Sequence, residues 1–90
     1  MGLSQILSDA NICGFDFLIT EIDTGMTFLD VAESSHNDET VRRNHENAVQ
    51  AYRTVERFRL KVNLDSAHQI ALHRKLAVLK KRLEKSGYSL

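Results

Sequence analysis

The 90-residue chain holds twelve Lys plus Arg, twelve Asp plus Glu and one cysteine, with 42% apolar and 27% charged residues. That balance excludes intrinsic disorder, a disulfide-stapled domain and any Cys-based zinc site built from one chain. The zero net charge hides a division: residues 1–41 contain eight acids and no base, while residues 42–90 contain every Lys and Arg against four acids.

A chain of this length makes a single domain, residues 1–90, with a thin core. No basic leader, long apolar signal core or run of about 18 apolar residues is present, and Cys13 stands alone. These features predict a cytoplasmic protein with no membrane association. Met1-Gly2 at the start resembles a myristoylation signal, but Ile6 occupies the position where Ser or Thr is needed.

Proline is absent, so helix boundaries are read from caps and polar clusters. Four helices are predicted, at about 3–12, 15–33, 38–62 and 66–86. The first carries Leu3, Ile6, Leu7 and Ala10 at helical spacing. The second places Phe15, Leu18, Ile19, Ile22, Met26, Leu29 and Ala32 on an arc roughly 140° wide at ~100° per residue. Ser34-Ser35-His36-Asn37-Asp38 then breaks the chain, with Ser35 or Asp38 as the expected cap of the next helix.

That next helix gathers Val41, Ala48, Ala51, Tyr52, Val55, Phe58 and Val62 on an arc of roughly 120°. Asn63-Leu64-Asp65-Ser66 forms the following break, with Asp65 or Ser66 as cap and Ser66/Gln69 at capping-box spacing. In the last helix, Leu72, Leu76, Leu79 and Leu83 alternate by three and four, as in a coiled-coil seam. Gly87 suits a left-handed closing position, with Tyr88 placed to reach Leu83. Short connections between such helices predict an all-α, up-down-up antiparallel three-helix bundle with a short extra N-terminal helix.

Asp16, Asp23 and Asp30 recur every seven residues beside one apolar arc, and Lys75 and Arg82 form a matching basic column beside the leucine seam. Exposed pairs of this kind contribute only ~0.3–0.5 kcal/mol each, so they select the pairing more than they stabilise it.

Phe17, Phe28 and Val31 fall together on the side away from the first core arc. Leaving such side chains in water forgoes ~1.5–3 kcal/mol apiece, which predicts a cover. The candidates are the N-terminal segment folded back, or a second subunit or other protein. Ile70 and Val78 lie off the leucine seam in a similar way, interrupted by Arg74 and Lys81. Phe17, Phe28, Val31, Ile70 and Val78 are therefore the expected partner contacts, with itself or another helical protein as the partner.

Arg74, Lys75, Lys80, Lys81, Arg82 and Lys85 form the one cluster that suits a phosphate backbone. They spread around their helix with no interleaved aromatic residues, so nucleic-acid binding is only the alternative. Glu33/His36 and Asp65/His68 have the i, i+3 spacing of di-iron bundles but fall at helix ends, without further inward-facing carboxylates. His68-Gln69-Ile70-Ala71 lacks the Lys-Gly expected after a phosphotransfer histidine. Cys13 has no supporting base, and no glycine-rich phosphate loop occurs. No catalytic residue, metal or cofactor is expected.

The run Asn47-Ala48-Val49-Gln50-Ala51-Tyr52-Arg53-Thr54-Val55-Glu56-Arg57-Phe58 resembles a helix of tetratricopeptide and microtubule-interacting-and-trafficking (MIT) domains, in which Ala-x-x-x-Tyr precedes further apolar positions. The resemblance extends over about residues 26–86 on short, degenerate patterns, and the tetratricopeptide Trp and Pro positions are absent. It implies a three-helix fold and a groove for a partner helix. Arg42 to Ala48 also resembles a run in small uncharacterised bacterial helical proteins. The function expected is a non-enzymatic interaction or scaffold domain, self-associating or binding a partner helix.

Overall fold

The computed structural model describes residues 3–90, with side chains from Cys13 onward. Three α-helices account for most of it: α1 (Leu3–Ser34), α2 (Asp38–Phe58) and α3 (Ser66–Lys85), with a 3₁₀ turn at Arg59–Lys61 following α2. No strand occurs among the described residues.

Helix α1 is continuous where the sequence predicted two helices. At Gly14, in the gap left between the two predicted helices, the helix instead makes a close approach to the chain after α2. A Cβ built on Gly14 would lie 2.9 Å from Val62 Cγ2, so the missing side chain admits Val62 against the helix without interrupting it. A helix unbroken at this point cannot fold its own first turns back over Phe17. The side chains of Leu3, Ile6, Leu7 and Ala10 lie outside those described.

The caps hold the connections short. Asn37, not Ser35 or Asp38, is the N-cap of α2: its Oδ1 accepts from Thr40 N at 2.9 Å, while Ser35 Oγ accepts from Asn37 N at 3.1 Å. Helix α2 stops four residues short of the predicted Val62, because its last turn tightens to 3₁₀ geometry, a common helix ending. Asp65 caps α3, with Oδ1 accepting from His68 N at 2.8 Å. The capping box does not form; Gln69 Nε2 donates to Leu64 O instead. At the end of α3, Tyr88 N donates to Leu83 O and Gly87 N to Glu84 O, with Gly87 at φ 99°. This is a Schellman closure, and only glycine takes that φ without strain.

The core joins Leu18, Ile22 and Leu29 of α1, Ala48, Val49, Tyr52 and Val55 of α2, and all four seam leucines of α3. Phe15, Ile19, Met26, Phe58 and Val62 pack around it, half-buried. Gly25 sits at its centre: a Cβ there would meet Ala51 Cβ at 3.2 Å and Leu79 Cδ2 at 3.1 Å. The absent side chain lets all three helices converge at one level. Val49 is buried although the α2 arc omits it, and the Tyr88 ring on His45, one turn away, brings the C-terminal segment along that side of α2.

Packing partners follow a regular register. Gly14, Phe17 and Gly25 of α1 face Val62, Phe58 and Ala51. Phe15, Asp23 and Asp30 face His68, Lys75 and Arg82. The molecule measures 53 × 20 × 17 Å, its long axis set by α1, whose 32 residues span about 48 Å at ~1.5 Å per residue.

Candidate interaction surface

Helix α1 presents two unlike sides. Toward α3 it carries the acidic column, and the charges expected to meet do so: Lys75 Nζ lies 3.0 Å from Asp23 Oδ1, and Arg82 Nη2 lies 2.9 Å from both Asp30 Oδ1 and Glu33 Oε1. The Glu33 hydrogen bond, followed by the one to Asp30, holds the Arg82 guanidinium above its ordinary pKa. Arg82 Nη1 also reaches Met26 Sδ at 3.7 Å, so the side chain lies along the half-buried rim of the core.

On the opposite side, Cys13, Phe17, Thr20, Thr24, Phe28 and Val31 fall within about 80° of one another at ~100° per residue. Phe17 is 45% exposed and Val31 42% exposed. Phe28, expected in the open with them, is half-buried and packs on the core. Phe17 meets the edge of Phe58 with ring centroids 6.2 Å apart at 88°, the favoured T-shaped geometry. Arg57 and Lys61 stand over the Phe58 ring at 5.2 and 4.9 Å. The Phe58 ring of the aromatic pair is thus flanked by two cations, Arg57 in the last turn of α2 and Lys61 in the 3₁₀ turn that follows. Sequence reasoning missed Phe58 as part of this surface, since its spacing placed it with the α2 core.

Ile70 and Val78, on α3, are about half exposed. Of the five expected contact residues, Phe17, Phe28 and Val31 lie on α1 and Ile70 and Val78 on α3. Of the six basic residues in the nucleic-acid alternative, Lys75 and Arg82 are engaged by α1, while Arg74, Lys80, Lys81 and Lys85 face solvent.

Between α2 and α3 lie two adjoining shallow cavities of about 260 and 280 Å³ that share Arg59 and His73. Their floor is Leu72, Leu76 and Tyr52; burial, then Glu56, pushes the Tyr52 phenol above its usual pKa. Glu56 and Arg59 are ion-paired across 3.3 Å on the rim.

The Asp65/His68 pair has structural surroundings. His68 Nδ1 lies 2.7 Å from Asp65 Oδ1, and its ring stacks edge-on to Phe15 at 4.6 Å. Among the described residues, no three metal-binding side chains converge, and no polar or charged side chain is fully buried. No helix among the described residues is long and apolar enough to cross a membrane. No family model, curated protein or solved structure matches this chain.

Proposed function

We propose that this chain is a non-enzymatic protein-interaction domain, an up-down-up three-helix bundle that self-associates or receives a partner helix in the cytoplasm. The observation that carries the reading is the line on α1 along which Phe17 and Val31 stay about half exposed without a charge between them other than Glu21. Leaving such groups in water forgoes free energy that a covering protein surface recovers. The up-down-up course is supported by the register: partners on α2 fall in number as α1 rises, and partners on α3 rise with it.

A nucleic-acid role has thinner support, because two of its six cations already bind carboxylates of α1. The groove reading draws on the apolar floor between α2 and α3 and on the MIT-like run in α2.

Sedimentation equilibrium from micromolar to near-millimolar concentration tests the self-associating form. The mass is expected to rise above the 10.2 kDa of one chain, and Phe17→Asp combined with Val31→Asp should return it toward one chain while far-UV helicity persists. A wild type that stays at one chain throughout, and binds no amphipathic helical peptide by fluorescence anisotropy, overturns the proposal.

A further inference from the structure

The charge division along the sequence is only partly used up by the fold. Lys75 and Arg82 take the carboxylates of Asp23, Asp30 and Glu33, and Arg42 and Arg59 pair locally with Glu39, Glu46 and Glu56. Arg74, Lys80, Lys81 and Lys85 of α3 stay in solvent. At ~100° per residue, Ile70, Arg74, Val78, Lys81 and Lys85 fall within an arc of about 80°, opposite the seam of Leu72, Leu76, Leu79 and Leu83. All five are exposed, Ile70 at 52% and Val78 at 51%. No acid lies on this line. Glu84, the single acid of α3, falls between Lys80 and Ala77, which line the cavity over Tyr52.

We propose that this outer line of α3 docks on an anionic lipid bilayer, with Arg74, Lys81 and Lys85 at the level of the lipid phosphates and Ile70 and Val78 reaching into the layer beneath. The expectation of no membrane association rested on the lack of a leader and of a spanning run, and a helix that lies on a surface needs neither. A chain of zero net charge gains nothing from its total. The division of its charge supplies the attraction instead, because the field of the basic half orients the molecule on approach.

Composition separates a bilayer from the other anionic partners. Contact surfaces between proteins are enriched in aromatic residues and depleted in lysine, and the α3 line has the reverse, two lysines and no aromatic ring. Phe17 and Phe28 stand on α1 instead. A phosphate backbone draws the cations but returns nothing for Ile70 and Val78, and the line offers no ring on which a base could stack.

A bilayer uses both kinds of residue at once. Its phosphates meet the cations, the aliphatic side chains leave water, and the long stems of Arg74, Lys81 and Lys85 let their charges sit above the apolar tips. From Ile70 to Lys85 the line runs about 23 Å at ~1.5 Å per residue, on one straight helix that a flat surface can meet along its length.

Flotation of the whole chain with vesicles tests this. The chain should float with vesicles of phosphatidylcholine mixed with phosphatidylserine, stay behind with phosphatidylcholine alone, and lose the association as salt rises. Lys81→Glu combined with Lys85→Glu should weaken vesicle binding by about tenfold or more. Ile70→Gln combined with Val78→Gln should weaken it severalfold at unchanged charge. Arg43→Glu combined with Arg53→Glu, the same change of charge at exposed positions of α2, should weaken it much less, and far-UV helicity should persist in all three. No flotation with the mixed vesicles at low salt overturns the proposal, as does an equal loss from the α2 pair. Binding that ignores the Ile70 and Val78 changes overturns it too, and competition by an oligonucleotide would then assign the cations to nucleic acid. Self-association is read from the mass without lipid, so either reading can fail without the other.

Discussion

The two apolar sides of α1 differ less in their hydrophobic residues than in what flanks them. The inner side has Leu18, Ile22 and Leu29 bordered by carboxylates at seven-residue steps, and α3 answers them with Lys75 and Arg82. The outer line has Phe17, Phe28 and Val31 bordered by threonines. Apolar area drives either side to be covered, but flanking charge tells a partner where to sit. The inner side carries its instructions within the chain, and the outer one leaves them to geometry.

The strongest way to separate the two sides is to remove a methyl-bearing group from each. Leu79, fully buried beneath Gly25, should lose about 3 kcal/mol on Leu79→Ala, a large part of the about 5–13 kcal/mol available to a domain of this length. Val31→Ala should lose less than about 0.5 kcal/mol at concentrations where the chain is alone. Urea unfolding at low protein concentration measures both, and equal losses would mean that the outer line is already covered within one chain.

A smaller effect is expected from the charges that mark the inner side. Arg82→Gln removes contacts to Asp30 and Glu33 from a site that is partly open to solvent, and should lower stability by on the order of 0.5–1 kcal/mol. Lys75→Gln, at a more exposed pair, should fall below about 0.5 kcal/mol. Both differences should shrink in high salt. Losses that ignore salt would assign the effect to packing by the side-chain stems.

The smallest effect concerns where α3 begins. The Asp65 carboxyl is held below its ordinary pKa, first by the His68 backbone N–H and then by the His68 side chain. A carboxylate whose pKa is depressed in the folded state stabilises that state above its unfolded pKa, and the contribution fades as pH falls through the folded value. The melting temperature of Asp65→Ala should therefore trail the wild type at neutral pH, with the gap closing on acidification. A gap that widens below the carboxylate range would refute this account.

Much of this fold was legible from spacing alone. The seam leucines 72, 76, 79 and 83 are all buried, the α1 arc faces the core, and the Asp–Lys and Asp–Arg pairs join the columns that a seven-residue repeat sets out. What sequence reading missed depended on close backbone approach. Gly14 falls in the gap between two predicted helices, and the proximity of Val62 makes it a point of contact inside one longer helix. Val49 lies off the α2 arc yet belongs to the core cluster against which Tyr88 also packs. Phe28 and Phe58 were assigned to opposite categories, outside and core, yet both are half-buried at the margin between them.

Gly25 has a further consequence. Its bare Cα lets Ala51 and Leu79 close on α1 at a level where a Cβ would stand only 3.2 and 3.1 Å from their side chains. One glycine therefore sets how closely α1 meets its two neighbours, on the opposite side of the cylinder from Phe17 and Val31. A larger residue at position 25 would have to push Ala51 and Leu79 aside, loosening from within the seat that holds the exposed line in place.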